Sequence, residues 1–409
     1  MQAVRVLADD LTGACDVGAE LLPWPNGVAV QPSSESRPAA ARPEALWVRN
    51  TQSRTLAPAD AAGRVRAALA DVSPGWAGLV LKKIDTGLRG QIGAEIDAAM
   101  DALGLDEAFV LPAIPEVGRT TLQGRQMIGG VPVHQTAFAR DPQNPIRDDS
   151  VPAAIEATGR RRAGVIGLGA VRDGLGTAVD DVRASGAQVL VCDGETDADL
   201  ERAVRGLLLR GRPLLLIGST GLARALRRIL GTEQAGRQRP GAPPPPSGSG
   251  VLVVAGSAHP ATRAQVERAA SRGVLEALTV GDVDGAEAVG HAAGRLLRAG
   301  RCAALVAPTE AAPGGTGAVL AALRRAALSA LARVRPAGLA LVGGETAFHV
   351  LEGLGHPALW LESRLCPLVV RARLMSGPYG GLTLVTKGGS AGAADLLGGI
   401  VRQLGRGMR

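Results

Sequence analysis

A chain of 409 residues, 46% of them hydrophobic, carries enough apolar material for two ordinary domains, yet no apolar run nears the ~18 residues of a membrane span. Its net charge of +7 invites nucleic acid, but aromatics are only 2% of the chain and the arginines lie scattered among Ala, Leu and Glu, leaving bases little to stack on. Cys15, Cys192, Cys302 and Cys366 form no CxxC pair and meet no histidine at zinc spacing, which argues against a disulfide framework or structural zinc and fits reduced thiols in a cytoplasm.

The first predicted strand, 4–8, runs at once into Asp9-Asp10-Leu-Thr-Gly, so it cannot be the apolar core of a secretion signal. Further strands are expected at 27–31, 45–49, 79–84, 108–111, 164–168, 188–192 and 213–217, most of them followed by Ala/Leu/Arg segments of helical period. That alternation gives right-handed βαβ units and a largely parallel sheet. The stretch 236–250, GRQRPGAPPPPSGSG, cannot join a helix or a central strand and reads as a linker. Beyond it, strands are expected at 251–255, 274–280, 303–307, 339–342, 358–361 and 382–386, with a core-facing helix over 318–332. The fold class is therefore α/β with two domains, 1–235 and 251–409, each a largely parallel sheet flanked by helices, and an active-site cleft is expected between them. The region 112–149 has no convincing period and is expected to be a long functional loop.

Ligands of such sheets collect beyond the carboxyl ends of strands. At the end of the first strand, Asp9 and Asp10 could bind magnesium, orient substrate hydroxyls or take the proton of an attacking alcohol, although helix capping would account for one of them. Only three of the 45 basic residues are lysines: Lys82, Lys83 and Lys387. Strand alternation turns Lys82 and Lys83 opposite ways and puts Lys83 on one face with Asp85, so Lys83, Asp85 and Arg89 can surround a small polar anion; an ion pair that merely fixes the turn is the alternative. Asn50 and Arg54 follow the third strand onto the same rim. In the long loop Glu116, Arg119, Thr121, His134, Arg140, Asp141 and Asn144 are weaker candidates. The second half offers three Gly-flanked turns after strands: Ala255-Gly-Ser257, Gly343-Gly344-Glu345-Thr346, and Lys387-Gly388-Gly389. Each could be a helix cap, but three together with a lysine suit a polyphosphate. No Walker A, protein-kinase set or GxGxxG fingerprint is present.

The strings LADDLTGA (7–14), KKIDTGLRGQIGAE (82–95), PEVGRTT, GVPVH and FARDPQNP within 112–145, AGS (255–257), GGETA (343–347) and TKGG (386–389) together resemble the four-carbon acid sugar kinase family over nearly the whole chain. The resemblance implies a sugar-acid-binding domain over 1–235 and a nucleotide-binding domain over 251–409. It implies ATP, with Mg²⁺, phosphorylating the terminal hydroxyl of a threonate-, erythronate- or oxo-tetronate-like acid. Substrate contacts would come from Asp9, Arg54, Lys82, Lys83, Ile84, Asp85, Arg89 and Arg119, and catalysis from Asp9, Asp10, Lys83 and Asp85. Nucleotide contacts would come from Ser257, Gly343, Gly344, Glu345, Thr346, Lys387, Gly388 and Gly389, with the metal ligands open. The expected partners are the sugar acid and ATP, without nucleic acid or membrane, and a homodimer is among the assemblies open to it. Three departures fall on the nucleotide side. Ser390-Ala-Gly-Ala393 lacks the aromatic and acid of the usual GGFGD turn, SRLCPLVVRA follows Glu362 where a PG-containing stretch is usual, and Ala258-His259 replaces a small, polar pair. A non-catalytic sugar-acid sensor and a nucleotide-independent lyase or dehydrogenase are the competing readings.

Overall fold

The computed structural model describes residues 4–22, 24–33, 44–72, 76, 78–141, 144–210, 213–231, 248, 250–308 and 315–405. Most of the expected linker therefore lies outside the described residues. The chain forms two compact units, Met1–Val28 with Ala45–Arg237, and Ala29–Glu44 with Gln238–Arg409.

The strands in chain order are β1 (Val4–Ala8), β2 (Val28–Gln31), β3 (Leu46–Asn50), β4 (Leu79–Lys83), β5 (Ala108–Leu111), β6 (Arg119–Leu122), β7 (Arg125–Ile128), β8 (Val131–Pro132), β9 (Ala163–Ile166), β10 (Val189–Cys192), β11 (Leu214–Gly218), β12 (Val251–Ala255), β13 (Glu276–Thr279), β14 (Ala303–Val306), β15 (Gly338–Val342), β16 (Leu359–Cys366), β17 (Val369–Leu374) and β18 (Thr383–Lys387).

In the first unit β3, β1, β4, β11, β5, β10 and β9 lie side by side, every pair parallel. Their apolar runs need no alternation because helices cover both faces, and Val80, Val110, Leu215 and Ile217 join Ile96 and Met100 of the helix Ile92–Leu103 in one core. The chain leaves β1 for β3 on one side and returns to β4 on the other, so the crossover direction reverses at β1. A crevice opens at such a point beyond the carboxyl ends. Ala8 pairs with both Asn50 and Lys83, which sets the three strand ends level.

The second unit repeats the plan. β13, β14, β12, β15 and β18 are parallel, with the reversal at β12. An antiparallel run of β18, β17, β16 and β2 completes this sheet. The strand expected at 27–31 thus forms, and it pairs antiparallel with β16. The segment SRLCPLVVRA, noted as a departure from the family pattern and covered by no expected strand, makes the β16–β17 hairpin, and Leu368 at its turn takes a φ of 63°.

The region 112–149 is not one irregular loop. It contains the small antiparallel sheet β6–β7–β8 and three short 3₁₀ turns. Leu122 pairs with Arg125 across Gln123-Gly124, both at positive φ, a two-residue turn whose twist matches its strands. Strands of two to four residues are too short for a period to emerge from the sequence.

Candidate active site

At the level ends of β1, β3 and β4 the first unit gathers its charges. Asp10 caps the helix Leu11–Glu20, its carboxylate accepting from Gly13 N at 3.1 Å and from Thr12 Oγ1 at 2.6 Å. Capping is therefore real, and it occupies only part of the carboxylate. Lys83 Nζ lies 3.2 Å from Asp9 Oδ1 and 3.0 Å from Asp10 Oδ1. The Arg54 guanidinium straddles the same pair, at 2.8 Å from Asp9 Oδ2 and 2.6 Å from Asp10 Oδ1. A Cβ on Gly13 would run into Lys83 and Asp10, so glycine there gives the lysine its place. Gln52, two residues before Arg54, has a φ of 46°, and Leu88, just before Arg89, one of 63°. Left-handed backbone at non-glycine residues on both rims is the kind of strain that binding loops carry.

Burial by itself would raise the Asp9 and Asp10 pKa values, but Arg54 and then Lys83 outweigh it and hold both carboxyls below their usual range. Asp85 is likewise held well down against burial, by Arg89 first and Arg54 next. All three are acceptors at neutral pH. Arg89 reaches Asp85 at 2.7 Å and Asp141 at 2.8 Å, and stacks over the Phe138 ring at 4.9 Å. Arg119 lies over the other part of that ring, 5.7 Å from its centroid, and donates to Thr86 Oγ1. No carboxylate among the described residues forms a direct ion pair with Arg119; burial lowers its pKa, Asp85 opposes that, and Arg89 adds to it. A desolvated arginine with no carboxylate in direct contact is suited to an incoming carboxylate.

In the second unit the three Gly-flanked turns leave adjacent strands β12, β15 and β18. Ala255 pairs with Val342 and Val342 with Lys387, so the turns start level. Gly343 adopts a φ of 106° and donates its N–H to Lys387 O at 2.9 Å. A Cβ on Gly256 would strike Thr346 Oγ1, and one on Gly389 would strike Ser257 Oγ. The turns therefore interlock only as glycines. Thr262 and Gln265, one helical turn apart on the helix Pro260–Ser271, hold the last turn from behind through Gly389 O at 2.8 Å and Ala391 O at 2.9 Å. Two helix N-termini, of Pro260–Ser271 and Gly344–Gly353, open beside these turns. Lys387 is 1% exposed, donates to Gly388 O at 3.0 Å, and is brought down to about 8 by burial. Backbone amides, helix ends and a lysine form a site of anion-binding character.

Comparison with known proteins agrees with both halves. The family profile of a sugar-binding N-terminal domain matches residues 4–226, and that of a nucleotide-binding C-terminal domain matches 252–397. A D-threonate kinase of Salmonella typhimurium is 32% identical, with 96% of each chain covered. The chain belongs to the four-carbon acid sugar kinase family. Other relatives are a 3-oxo-tetronate kinase of Methylobacterium radiotolerans, 31% identical over 97% of this chain and 98% of the relative, and a D-erythronate kinase of Heliobacterium modesticaldum, 28% identical over 97% and 95%. The fold is that of a Salmonella typhimurium LT2 crystal structure at a TM-score of 0.75, 24% identical, with 98% of each chain covered.

Two of the substrate residues expected for a member of this kinase family stand elsewhere. Lys82 is fully buried on the opposite strand face, its ammonium in an ion pair with Glu95 and donating to Lys83 O at 3.1 Å. The Ile84 side chain is in the core, while its N–H donates to Gly218 O at 2.8 Å. Of the weaker loop candidates, Asp141 reaches the cluster through Arg89. His134 lies 3.8 Å from Asp149, Glu116 pairs with Arg224, and Thr121 is buried against Gln126, all apart from it. Sequence reasoning gave no role to Gly13, Phe138 or Gln265. Phe138 was open to detection as one of only three phenylalanines, set in a polar stretch.

Proposed function

We propose that this protein is an ATP-dependent kinase that phosphorylates the terminal hydroxyl of a four-carbon sugar acid of the threonate, erythronate or 3-oxo-tetronate type, in the catabolism of carbohydrate acids. One observation carries the reading: a chain related over nearly its whole length to a D-threonate kinase has, at the β1 and β4 ends, a buried ring of ionised carboxylates and cations, beside which Arg119 makes no direct ion pair among the described residues. In this reading Arg119, with Arg89, holds the acid's carboxylate, while Asp9, Asp10 and Asp85 accept hydrogen bonds from its hydroxyls. Carboxylates held so far below neutral are weak bases, so they orient the attacking hydroxyl more than they deprotonate it. A largely dissociative phosphoryl transfer asks for little more. Lys83 meets the charge that develops on the transferred group.

ATP is placed at the second unit, its phosphates on the Ser257, Gly343–Thr346 and Gly388-Gly389 turns beside Lys387. Mg²⁺, when bound with ATP, would supply charge neutralisation at the phosphates beside Lys387. Among the described residues no group of three or more His, Cys, Asp or Glu could hold a metal ion, which fits an ion carried mainly by phosphates and water, as Mg²⁺ commonly is. The use of ATP supports a cytoplasmic location, and no helix among the described residues is long and apolar enough to cross a membrane.

The test is ADP release from ATP across a panel of tetronates and oxo-tetronates, with wild type and Lys83→Met. Turnover should require both ATP and one class of acid. Lys83→Met should lose roughly a thousandfold in kcat/KM while remaining folded, since Arg54 still bonds both aspartates. Turnover of the acid without ATP, or an undiminished variant, would refute the assignment.

A further inference from the structure

We infer that His259 is a phosphate-contacting residue of the nucleotide site, presenting its Nε2–H to the phosphate tail of ATP; this rests on the placement of ATP at the second unit's turns. His259 caps the helix Pro260–Ser271, and its Nδ1 accepts a hydrogen bond from Ala261 N at 3.1 Å. A ring nitrogen that accepts from an amide carries no proton, so the neutral imidazole has its proton on Nε2. Among the described residues nothing accepts from that Nε2.

The residue is fixed between two of the interlocked turns. Its N–H bonds Ser257 Oγ at 3.3 Å, and a Cβ on Gly389 would come within 3.6 Å of the His259 Cβ. Burial, and then the charge of Lys387, hold the ring's pKa below its usual value. At neutral pH it is thus an oriented, uncharged donor beside a lysine, complementary to an oxyanion and without a competing charge to desolvate. The bond to Ala261 fixes the tautomer, so the cap and the phosphate contact use the two ring nitrogens at once.

Two variants separate the roles. Asparagine is among the best helix caps and retains an acceptor for Ala261 N, but it does not reach the Nε2 position, whereas alanine loses both functions. For His259→Asn the expected result is about tenfold weaker ATP binding by calorimetry, a matching rise in KM for ATP with little change in kcat, and unchanged adenosine affinity and Tm. His259→Ala should weaken ATP equally and also lower Tm. Wild-type ATP affinity in His259→Asn, or an equal loss of adenosine binding, would reduce His259 to a cap and overturn the inference. A wild-type protein that binds no ATP, or one in which Lys387→Met leaves ATP affinity untouched, would bring down the placement of ATP itself and the inference with it.

Discussion

Lys387 differs from Lys83 in what surrounds it. Lys83 is buried among carboxylates, and although burial works against its charge, Asp10 and Asp9 raise its pKa. Lys387 has backbone carbonyls around its ammonium, and burial prevails, bringing it to about 8. A lysine waiting for an anion should behave this way. Its charge is present below that value and lost above it, so ATP affinity should fall roughly tenfold between about pH 7 and about pH 9, with proton uptake on binding in the upper part of that range. Calorimetry in buffers of different ionisation enthalpy reads both quantities; a flat affinity without proton uptake would take Lys387 out of the site. Here the sequence signal was composition: lysine survives at three positions in an arginine-dominated chain, and two of them stand at strand ends with candidate ligands around them.

One strand, β4, gives its two lysines opposite fates. Lys83 turns to the β1 aspartates and Lys82 to Glu95 on the helix Ile92–Leu103. Alternation predicted the divergence, but not that the second face was closed, because closure depends on a helix that begins nine residues downstream. Replacing Lys82 by Met strands the Glu95 carboxylate in the core and should cost about 3–5 kcal/mol in denaturant unfolding. Adding Glu95→Leu should restore most of it, and KM for the acid should stay near wild type throughout. A large KM effect in the double variant would return Lys82 to the substrate site. The β6–β7–β8 sheet illustrates the opposite limit. Its turns were visible as Gly-rich punctuation, yet its strands were too short to be told from loop, and its role in bringing up Arg119 became apparent only with β6 in place.

At the scale of the molecule, buried carboxylates are unevenly distributed among the described residues. In the first unit Asp9, Asp10 and Asp85 are buried and lowered, and Asp199 is lowered to about 2 against burial by the Arg172 and Thr196 side chains. Among the described residues of the second unit no carboxylate is buried, and the exposed Asp395 is lowered by Arg268. A group whose folded pKa is depressed stabilises the fold above its ordinary value, here 3.8, and that contribution drains away as pH falls towards the folded value. Below about pH 4 the first unit should therefore lose protection before the second. Hydrogen exchange resolved by peptide would follow the two separately, and simultaneous loss would show that these carboxylates do not govern acid stability.

The sequence by itself determined the α/β class, the placing of charged and Gly-flanked residues at strand ends, and the family, because apolar runs, turn residues and local motifs are written in contiguous stretches. Only the tertiary structure decided that Lys82 is core while Lys83 faces the β1 aspartates, that β2 pairs antiparallel with β16, that Phe138 carries two arginines, and that His259 stands between two glycine turns. Each of those outcomes depends on residues far apart in the chain that burial brings within a few ångströms. Burial is a property of the packed whole and not of any window along the sequence.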